Sequence, residues 1–503
     1  MSAVLPLFVA VPLFLAGATV LLRHALVQRL LLLACSLGIV GGGLTLLMFH
    51  QGTPVVSHSV GSYLPGVGIV FVSDTLSAVM LVATAFLSLI SSIFLMLTGE
   101  DRYRFVVPLV LMLCAGVNGA ILTGDLFNLF VWVEVMLLPS YALVAVTGYW
   151  RRLGIGRMFV IVNIITSTIL LLGVGLLYGA AGTVNLAALA NTGADPQISL
   201  ATAVIVFALL VKAAVVPLHG WLPRAYPATS AGIMSLFAGV HTKVSLYAVH
   251  RIHLTIFDGP APWLPVLSVL VVATIVVGAL STFGEKRIRG ALAFQMVAGV
   301  GQILIGLVVL TQGSIAAGLF YMVHHMVTMG ALILAAGAIE HTYGSGRFDR
   351  LSGLMRRDPW LAATVALGFV SLVGLPPTSG LWGKVGLVLS SASASAPTSW
   401  WLLGAIVTAS VVSAMALQRV WREAFWGPPM KDYLPDDPTT SRGTPTPIAD
   451  DARVEWRFQW PSALLVGVSM CLFAGIGWVW PIFETAAANL VDTASYVQAV
   501  MEP

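Results

Sequence analysis

The chain has few charged residues for its length. Only 9% of its 503 residues are Asp, Glu, Lys or Arg, whereas 58% are hydrophobic, and the mean hydropathy is +0.94. Soluble domains carry about 25% charged residues. This composition excludes a water-soluble protein and is typical of a polytopic membrane protein. The net charge of +4 is too small to indicate a nucleic-acid partner.

Cysteine is also scarce. Cys35, Cys114 and Cys471 lie in separate apolar runs and show no paired spacing. This pattern excludes a disulfide framework or a thiolate metal site that can be read from sequence. We interpret the three residues as packing residues.

Polar segments are nearly absent, and the only long one is 421–458. Its Pro, Thr and Asp residues cannot bury enough apolar surface for it to fold alone, so we interpret it as a flexible cytoplasmic loop. A docking segment for a partner subunit is the alternative.

Apolar runs of about twenty residues, the length of a membrane-spanning helix, recur along the whole chain. They predict an all-α polytopic membrane protein of about fourteen transmembrane helices. The spans are 3–22, 30–49, 73–98, 104–123, 126–148, 157–179, 200–218, 232–250, 261–283, 291–310, 313–339, 360–394, 400–420 and 459–481.

Basic residues are distributed unevenly between the two sides. When successive loops are assigned alternately to the two faces, one face receives all the loop Lys and Arg residues except Arg251. Because cytoplasmic loops carry the excess of positive charge, we expect both termini outside.

Helix breakers interrupt two spans. Pro217, Pro223 and Pro227 follow Lys212 in the seventh span, and Pro376 and Pro377 precede Lys384 in the twelfth. Proline removes a backbone donor, so we expect both helices to be discontinuous. A simple proline kink is the alternative, but it does not explain a lysine beside each break.

The two interrupted spans lie five helices apart, so they cross the membrane in opposite directions. This arrangement predicts two inverted five-helix repeats with a transport site between them. The expected units are helices 1–3 (1–103), the first repeat of helices 4–8 (104–255), the second repeat of helices 9–13 (256–420), the polar loop (421–458), and helix 14 with a C-terminal tail (459–503).

Four ionisable residues lie inside apolar spans: Glu134, Lys212, Lys243 and Lys384. Placing one such charge at the bilayer centre costs roughly 2.5 to 3.5 kcal/mol on insertion scales, so these residues are expected to line an ion or proton path. We expect Glu134 to pair with Lys212, since each precedes a proline by five positions. A purely structural ion pair between helices is the alternative.

Histidines lie near these lysines in the sequence. His241 precedes Lys243 by two residues, and His324 and His325 lie in the eleventh span. Histidine can accept and donate a proton through opposite ring nitrogens, which suits a relay between lysines. His219, after Lys212, is either a relay element or a hydrogen-bonded structural residue, and a satisfied core histidine is the alternative for the others. Asp74 and Asp125 are interpreted as helix caps.

These residues together resemble the antiporter-like subunits of respiratory complex I and of Mrp-type multisubunit cation/proton antiporters. The segments that carry the resemblance are GDLFNLFVWVEVMLLPSYALV, VKAAVVPLHGWLPRAYPATSAG, HTKVSLYA, YMVHHMV and LPPTSGLWGKVGL. The sequence around Glu134 is most similar to that of the D-type subunits of the Mrp group.

The resemblance implies a proton relay through Glu134, Lys212, Lys243, His324, His325 and Lys384, with His219 and His241 as further relay candidates. It also implies assembly with other membrane subunits in the bacterial plasma membrane, exchange of H⁺ for a cation such as Na⁺, and no bound cofactor. A metal site cannot be assigned. Many relatives carry a lysine where this chain has Met329, so His324 or His325 with ordered water would have to bridge Lys243 to Lys384.

Two other classes remain open. A proton-pumping subunit of a redox enzyme, such as complex I or a membrane-bound hydrogenase, would have similar helices and a similar relay. A structural membrane anchor would require all four buried charges to be idle.

Overall fold

The chain is mostly helical in its computed structural model, which describes residues 1–22, 24–63, 66, 68–146, 150–395, 397–428, 430, 432–433, 446–449 and 451–502. The helices of the first half are α1 (Leu7–Leu21), α2 (Ala25–Phe49), α3 (Thr75–Leu97), α4 (Val106–Leu122), α5 (Leu126–Ala145), α6 (Trp150–Ala181), α7 (Pro196–Lys212), α8 (Trp221–Ala225) and α9 (Ala231–Ile256).

The second half continues with helices of similar composition. They are α10 (Leu264–Ser281), α11 (Ile288–Val309), α12 (Gln312–Tyr343), α13 (Leu354–Arg357), α14 (Pro359–Val373), α15 (Gly380–Ala392), α16 (Thr398–Ala424), α17 (Trp456–Ala474), α18 (Ile476–Val491) and α19 (Ala494–Met501). In the described ranges, nine helices are long and apolar enough to cross a membrane, and the pair α17 and α18, bent by 84°, passes the same test only if the two helices are taken together. The chain is therefore a multi-pass membrane protein.

The connection between α2 and α3 is a β-hairpin, so the all-α prediction is wrong there. Strands β1 (Val55–Ser59) and β2 (Val70–Asp74) pair antiparallel, with Val55 opposite Asp74. Valine is common in both strands, and its branched side chain favours a pleated, half-buried surface. A shorter pair, β3 (Asp432–Tyr433) and β4 (Thr446–Pro447), lies in the predicted polar loop.

The predicted polar loop 421–458 is shorter than expected. α16 continues to Ala424, and α17 begins at Trp456. Residues 434–445, at the centre of the loop, lie outside the described residues, so both interpretations of this loop stay predictions.

Capping aspartates begin several helices, as expected for Asp74 and Asp125. The Asp74 carboxylate accepts a hydrogen bond from the Ser77 backbone N–H at 2.9 Å, and Asp125 accepts one from Asn128 at 2.7 Å. Each carboxylate satisfies an N–H group that has no partner within its own helix. The interpretation of both residues as caps is confirmed.

Both predicted helix interruptions are present. α7 ends at Lys212, and Ala214 then adopts a left-handed conformation with φ of 64° before the short helix α8. In the other span, α14 ends at Val373 and α15 begins at Gly380, with Gly374 at φ of 90° between them. Gly374 has no side chain to oppose this conformation.

Helices α9 and α12 form the centre of the fold. Every residue of α9 is buried. In the most apolar 18-residue stretch of α12, 94% of the residues are buried, compared with 33% in the corresponding stretch of the N-terminal helix that contains α1. The two helices pack against each other, and α12 also contacts α11, α15 and α17. Side chains on α9 and α12 are therefore shielded from lipid by protein.

A buried ion pair joins α3 to α9. Arg251 Nη2 lies 2.6 Å from Asp74 Oδ2, and both side chains are almost inaccessible, at 6% and 2% exposure. Because α9 continues to Ile256, Arg251 lies within a helix. Its predicted position in a loop is wrong.

The ion pair predicts unequal effects of two cap substitutions. Asp74→Ala removes a cap and leaves Arg251 buried without a counter-ion, so we expect it to lower the free energy of unfolding by about 3 to 5 kcal/mol. Asp195→Ala removes only the α7 cap and should cost about 1 kcal/mol. Thermal unfolding of the detergent-purified protein measures both. Equal effects would contradict the ion pair's contribution.

Candidate proton-relay site

Lys212 is the last residue of α7, at the helix interruption. Its side chain is buried, and its ammonium donates a hydrogen bond of 2.9 Å to the Ser167 hydroxyl on α6. A single neutral acceptor is a poor replacement for water around a full charge. The charged form of Lys212 is therefore weakly stabilised by its direct contacts.

Glu134 and Lys212 do not form the predicted ion pair in this conformation. Within the described residues, no carboxylate oxygen lies within 4.0 Å of the Lys212 ammonium. Glu134 is half-buried on α5, and its Oε1 atom has no hydrogen-bond partner. The carboxylate is nevertheless close enough to interact electrostatically with Lys212. The two groups are neighbours in an open arrangement, and Ser167 takes the place of the carboxylate.

His241 belongs to the same group of residues. Its Nε2 lies 2.9 Å from the hydroxyl of Ser140, which is on α5 like Glu134. The ring packs against Phe237, with 4.6 Å between centroids, and lies within electrostatic range of Lys212. Glu134, Lys212 and His241 therefore form one cluster, which we call the first cluster.

Lys243 lies on the other side of α9. Two residues along an α-helix correspond to a rotation of about 200°, so Lys243 and His241 project from nearly opposite faces. Lys243 is fully buried, and its ammonium reaches the Thr242 hydroxyl at 3.2 Å. On α12, His325 interacts with it electrostatically.

His325 packs closely against α11. An added Cβ at Gly299 would overlap its imidazole ring, so this position has room only for glycine. Neither ring nitrogen makes a hydrogen bond of normal geometry with a described residue. His325 also lies within electrostatic range of His324, so it neighbours both Lys243 and the next candidate.

His324 is embedded in a cluster of hydroxyl groups at the second helix interruption. Its Nδ1 lies 2.8 Å from Ser379 Oγ and 3.3 Å from Thr328 Oγ1. Ser469 on α17 lies 2.7 Å from Ser379 and 3.2 Å from Ser371. Hydroxyl groups both donate and accept, so this cluster forms a continuous hydrogen-bonded chain around the imidazole.

Lys384 is the last member of this group. It is buried on α15, and its ammonium donates a hydrogen bond of 2.8 Å to the Ser410 hydroxyl on α16. Its aliphatic stem lies over Gly374, so a side chain at that position would collide with it. His324 is within electrostatic range of Lys384. Lys243, His325, His324 and Lys384 form the second cluster.

His219 stands apart from both clusters. It lies in the turn after α7 and is only half-buried. We find no hydrogen bond or ring contact between it and another relay candidate in the described segments. No group of three or more His, Cys, Asp or Glu residues able to hold a metal occurs there either.

Serine and threonine partners are the part of the site that sequence reasoning missed. Each lysine is held by one hydroxyl, from Ser167, Thr242 or Ser410. A hydroxyl group leaves the lysine free to be charged or neutral, whereas a carboxylate would fix the charge. The available signal was a serine or threonine in an apolar span, which occurs too often to single out these positions.

The comparisons with known proteins cover nearly the whole chain. Residues 123–413 match the family described as NADH:quinone oxidoreductase/Mrp antiporter, TM. The chain is 30% identical to the D-type subunit of the Na⁺/H⁺ antiporter of Bacillus subtilis, over 98% of this chain and 99% of that relative. The chain belongs to the NADH:quinone oxidoreductase/Mrp antiporter family.

The chain is also similar to members of both groups named in the family description, the oxidoreductase subunits and the Mrp antiporters. The N-type subunit of the NADH-quinone oxidoreductase of Desulforudis audaxviator is 32% identical over 95% of each chain. A chain in the structure of the Mrp complex from Dietzia sp. superposes with a TM-score of 0.94 and 38% identity, over 99% of each chain. The region that matches the NADH:quinone oxidoreductase/Mrp antiporter family contains both clusters in full.

The burial of Lys243 predicts a stabilising substitution at this site. An unpaired buried ammonium costs several kcal/mol, which an apolar side chain of similar volume avoids. We expect Lys243→Met to increase the free energy of unfolding by about 1 kcal/mol or more. Leu246→Met, an apolar exchange on the same buried helix, is the control. Thermal unfolding in detergent measures both, and a large destabilisation by Lys243→Met alone would show that the ammonium is needed for folding.

Proposed function

We propose that the chain is the proton-translocating subunit of a multisubunit Na⁺/H⁺ antiporter and a secondary transporter subunit, not an enzyme. The observation that carries this proposal is the pair of buried clusters on opposite faces of α9, each with a lysine held by a hydroxyl group. Buried charges of this kind mark proton relays in membrane proteins. The similarity to the antiporter of Bacillus subtilis supports Na⁺ as the exchanged cation.

The architecture belongs to the same proposal. The chain would have fourteen transmembrane helices, with two inverted repeats of five helices each at residues 104–255 and 256–420. This arrangement would place the two interruptions at related positions near the midplane. Both termini would lie outside the bacterial plasma membrane. The interrupted helices α7–α8 and α14–α15 support this arrangement.

The partners would be other membrane subunits in a hetero-oligomer, and the transported ions H⁺ and Na⁺. The similarity to a chain of an Mrp complex supports such an assembly. The protein would need no cofactor, because proton exchange requires only groups that accept and release protons.

The first cluster would act as the switch. At an effective dielectric constant near 20, two unit charges 4 Å apart interact by about 4 kcal/mol. When Glu134 approaches Lys212, the ammonium gains this stabilisation and keeps its proton. In the open arrangement, Lys212 contacts only Ser167 and releases its proton toward His241.

The second cluster would carry the proton onward. Lys243 passes it to His325, His325 to His324, and His324 to Lys384. The hydroxyls of Ser379 and Thr328 hold His324 in place and offer it hydrogen bonds in both of its tautomers. Transfer between the clusters must pass around α9, since His241 and Lys243 lie on opposite faces. Movement of α9 or its neighbours would therefore couple the two halves.

A proton-pumping subunit of a redox enzyme is the second candidate function. The similarity to a membrane subunit of the NADH-quinone oxidoreductase of Desulforudis audaxviator favours it. Both functions use the same relay and differ in what drives it. Neighbouring genes for small antiporter subunits support the first function, whereas genes for flavin and iron-sulfur subunits support the second.

Substitutions in the first cluster test the switch. Glu134→Ala and Lys212→Ala should each abolish Na⁺-dependent proton exchange in everted vesicles that contain the assembled complex, because the switch loses one of its two charges. Lys286→Ala, which removes an exposed lysine, is the control and should exchange like the wild type. Wild-type exchange by either cluster variant, at normal assembly, would refute its role.

Lys384 provides a test of the far end of the relay. Lys384→Ala should block exchange, because His324 loses its proton acceptor. Ser410→Ala removes only the hydrogen-bond partner of Lys384 and should slow exchange without abolishing it. Both are measured as the rate of Na⁺-driven proton movement at equal amounts of complex. Unchanged exchange in Lys384→Ala would place the exit elsewhere.

A further inference from the structure

The last turns of α9 contain two buried histidines that neither cluster uses. His250 and His253 are both fully buried. They lie seven and ten residues beyond Lys243, which places them about 10 and 15 Å further along the helix axis. Seven residues are close to two full turns, so His250 projects from the same face as Lys243.

The hydrogen bond of His250 fixes the chemistry of its ring. Its Nδ1 lies 2.8 Å from the Leu246 carbonyl oxygen. A carbonyl only accepts, so Nδ1 carries the hydrogen, and Nε2 of the neutral ring has a lone pair. This buried Nε2 has no hydrogen-bond donor among the described residues. It is therefore a proton acceptor that the fold leaves unoccupied.

His253 extends the row toward the surface. It lies three residues after His250 on the same helix, so the two side chains are neighbours on the helix surface, and neither of its ring nitrogens has a hydrogen-bond partner of normal geometry in the described ranges. Its ring stacks on Phe257, with 5.4 Å between centroids, and meets the edge of Trp263 at 5.1 Å.

Phe257 and Trp263 also line an open cavity of about 700 Å³ between the end of α9 and the start of α7. Asn191, Asp258 and Ser199 contribute polar groups to its wall. The cavity is open to the surface of the chain, and Phe257 and Trp263 contact both the cavity and the ring of His253.

The nearby positive charge of Arg251 does not block this row. A fixed cation beside His250 would repel a proton, but Asp74 lies 2.6 Å from the guanidinium and neutralises it. The hydroxyl of Tyr247, between Lys243 and His250 on the helix, donates to the Ile121 carbonyl at 2.6 Å. The segment from Lys243 to the cavity thus contains titratable groups and no unpaired fixed charge of the described residues.

We propose that the end of α9 is a proton port, in which His250 and His253 connect Lys243 to the cavity beside Phe257 and Trp263. A proton from the cavity binds a free nitrogen of His253 and passes to Nε2 of His250, and water between the side chains carries it along the two helical turns to neutral Lys243. Release follows the reverse order. The port rests on the proposed function, and in the orientation proposed above it opens to the outside.

Glutamine substitutions test the two histidines. His250→Gln and His253→Gln keep polar side chains but cannot carry a proton, so each should lower Na⁺-dependent exchange by about 10²-fold, the lower end for a positioned proton-transferring group. His50→Gln is the matched control, since His50 is buried but has both ring nitrogens hydrogen-bonded, to Thr53 and Ser73. It should exchange like the wild type.

Blocking the cavity tests the port without changing either histidine. Cys471 is the exposed native cysteine, whereas Cys35 and Cys114 are buried, so Cys471→Ser provides the background. In it, Ser199→Cys places a thiol in the cavity wall, and Ser395→Cys places one in the exposed loop after α15. A membrane-impermeant charged methanethiosulfonate added from outside should inhibit only the complex with Ser199→Cys.

The outcomes separate the port from the relay. Wild-type exchange by both histidine variants, together with full activity of the labelled Ser199→Cys complex, would overturn the port. If Glu134→Ala and Lys212→Ala still abolish exchange in that case, the relay stands without it. If those variants also exchange normally, the proposed function itself fails.

Discussion

The cost of keeping a lysine ammonium inside packed apolar helices is the constraint on which the structure depends. Lys212, Lys243 and Lys384 are all buried, and each ammonium has one hydroxyl partner and no carboxylate within 4.0 Å among the described residues. A fold selected only for stability would replace such groups with apolar side chains. Their retention, at helix interruptions or beside buried histidines, is explained if their charge must change.

Helix α9 organises these groups. It is buried along its full length, and it separates His241 and the first cluster from Lys243 and the second cluster. The row of charges is therefore not one straight line, because transfer between its halves has to pass around a helix. The same helix carries His250 and His253 beyond Lys243, so one element contacts both clusters and ends beside the open cavity.

Much of this was predictable from the sequence, because bilayer thickness and the rarity of buried charge leave few alternatives. The apolar runs, the interruptions near Pro217 and Pro377 and the cap at Asp74 followed from local rules. The open position of Glu134 did not, since depth along a helix does not determine which face a side chain occupies. The hydroxyl chain around His324 required α12, α15 and α17 to be placed in space, which no local pattern specifies. The β-hairpin was missed because its valines are too few to stand out beside long apolar helices.

A lysine-to-arginine exchange tests the central claim most directly. Lys243→Arg keeps a positive charge in the same place, but arginine does not release its proton in proteins. The measurement is the initial rate of Na⁺-dependent proton exchange by the assembled complex in vesicles, with assembly confirmed for the variant. We predict that exchange is lost, because Lys243 must become neutral in every cycle. Wild-type exchange would show that a permanent charge suffices, and it would contradict a relay through this lysine.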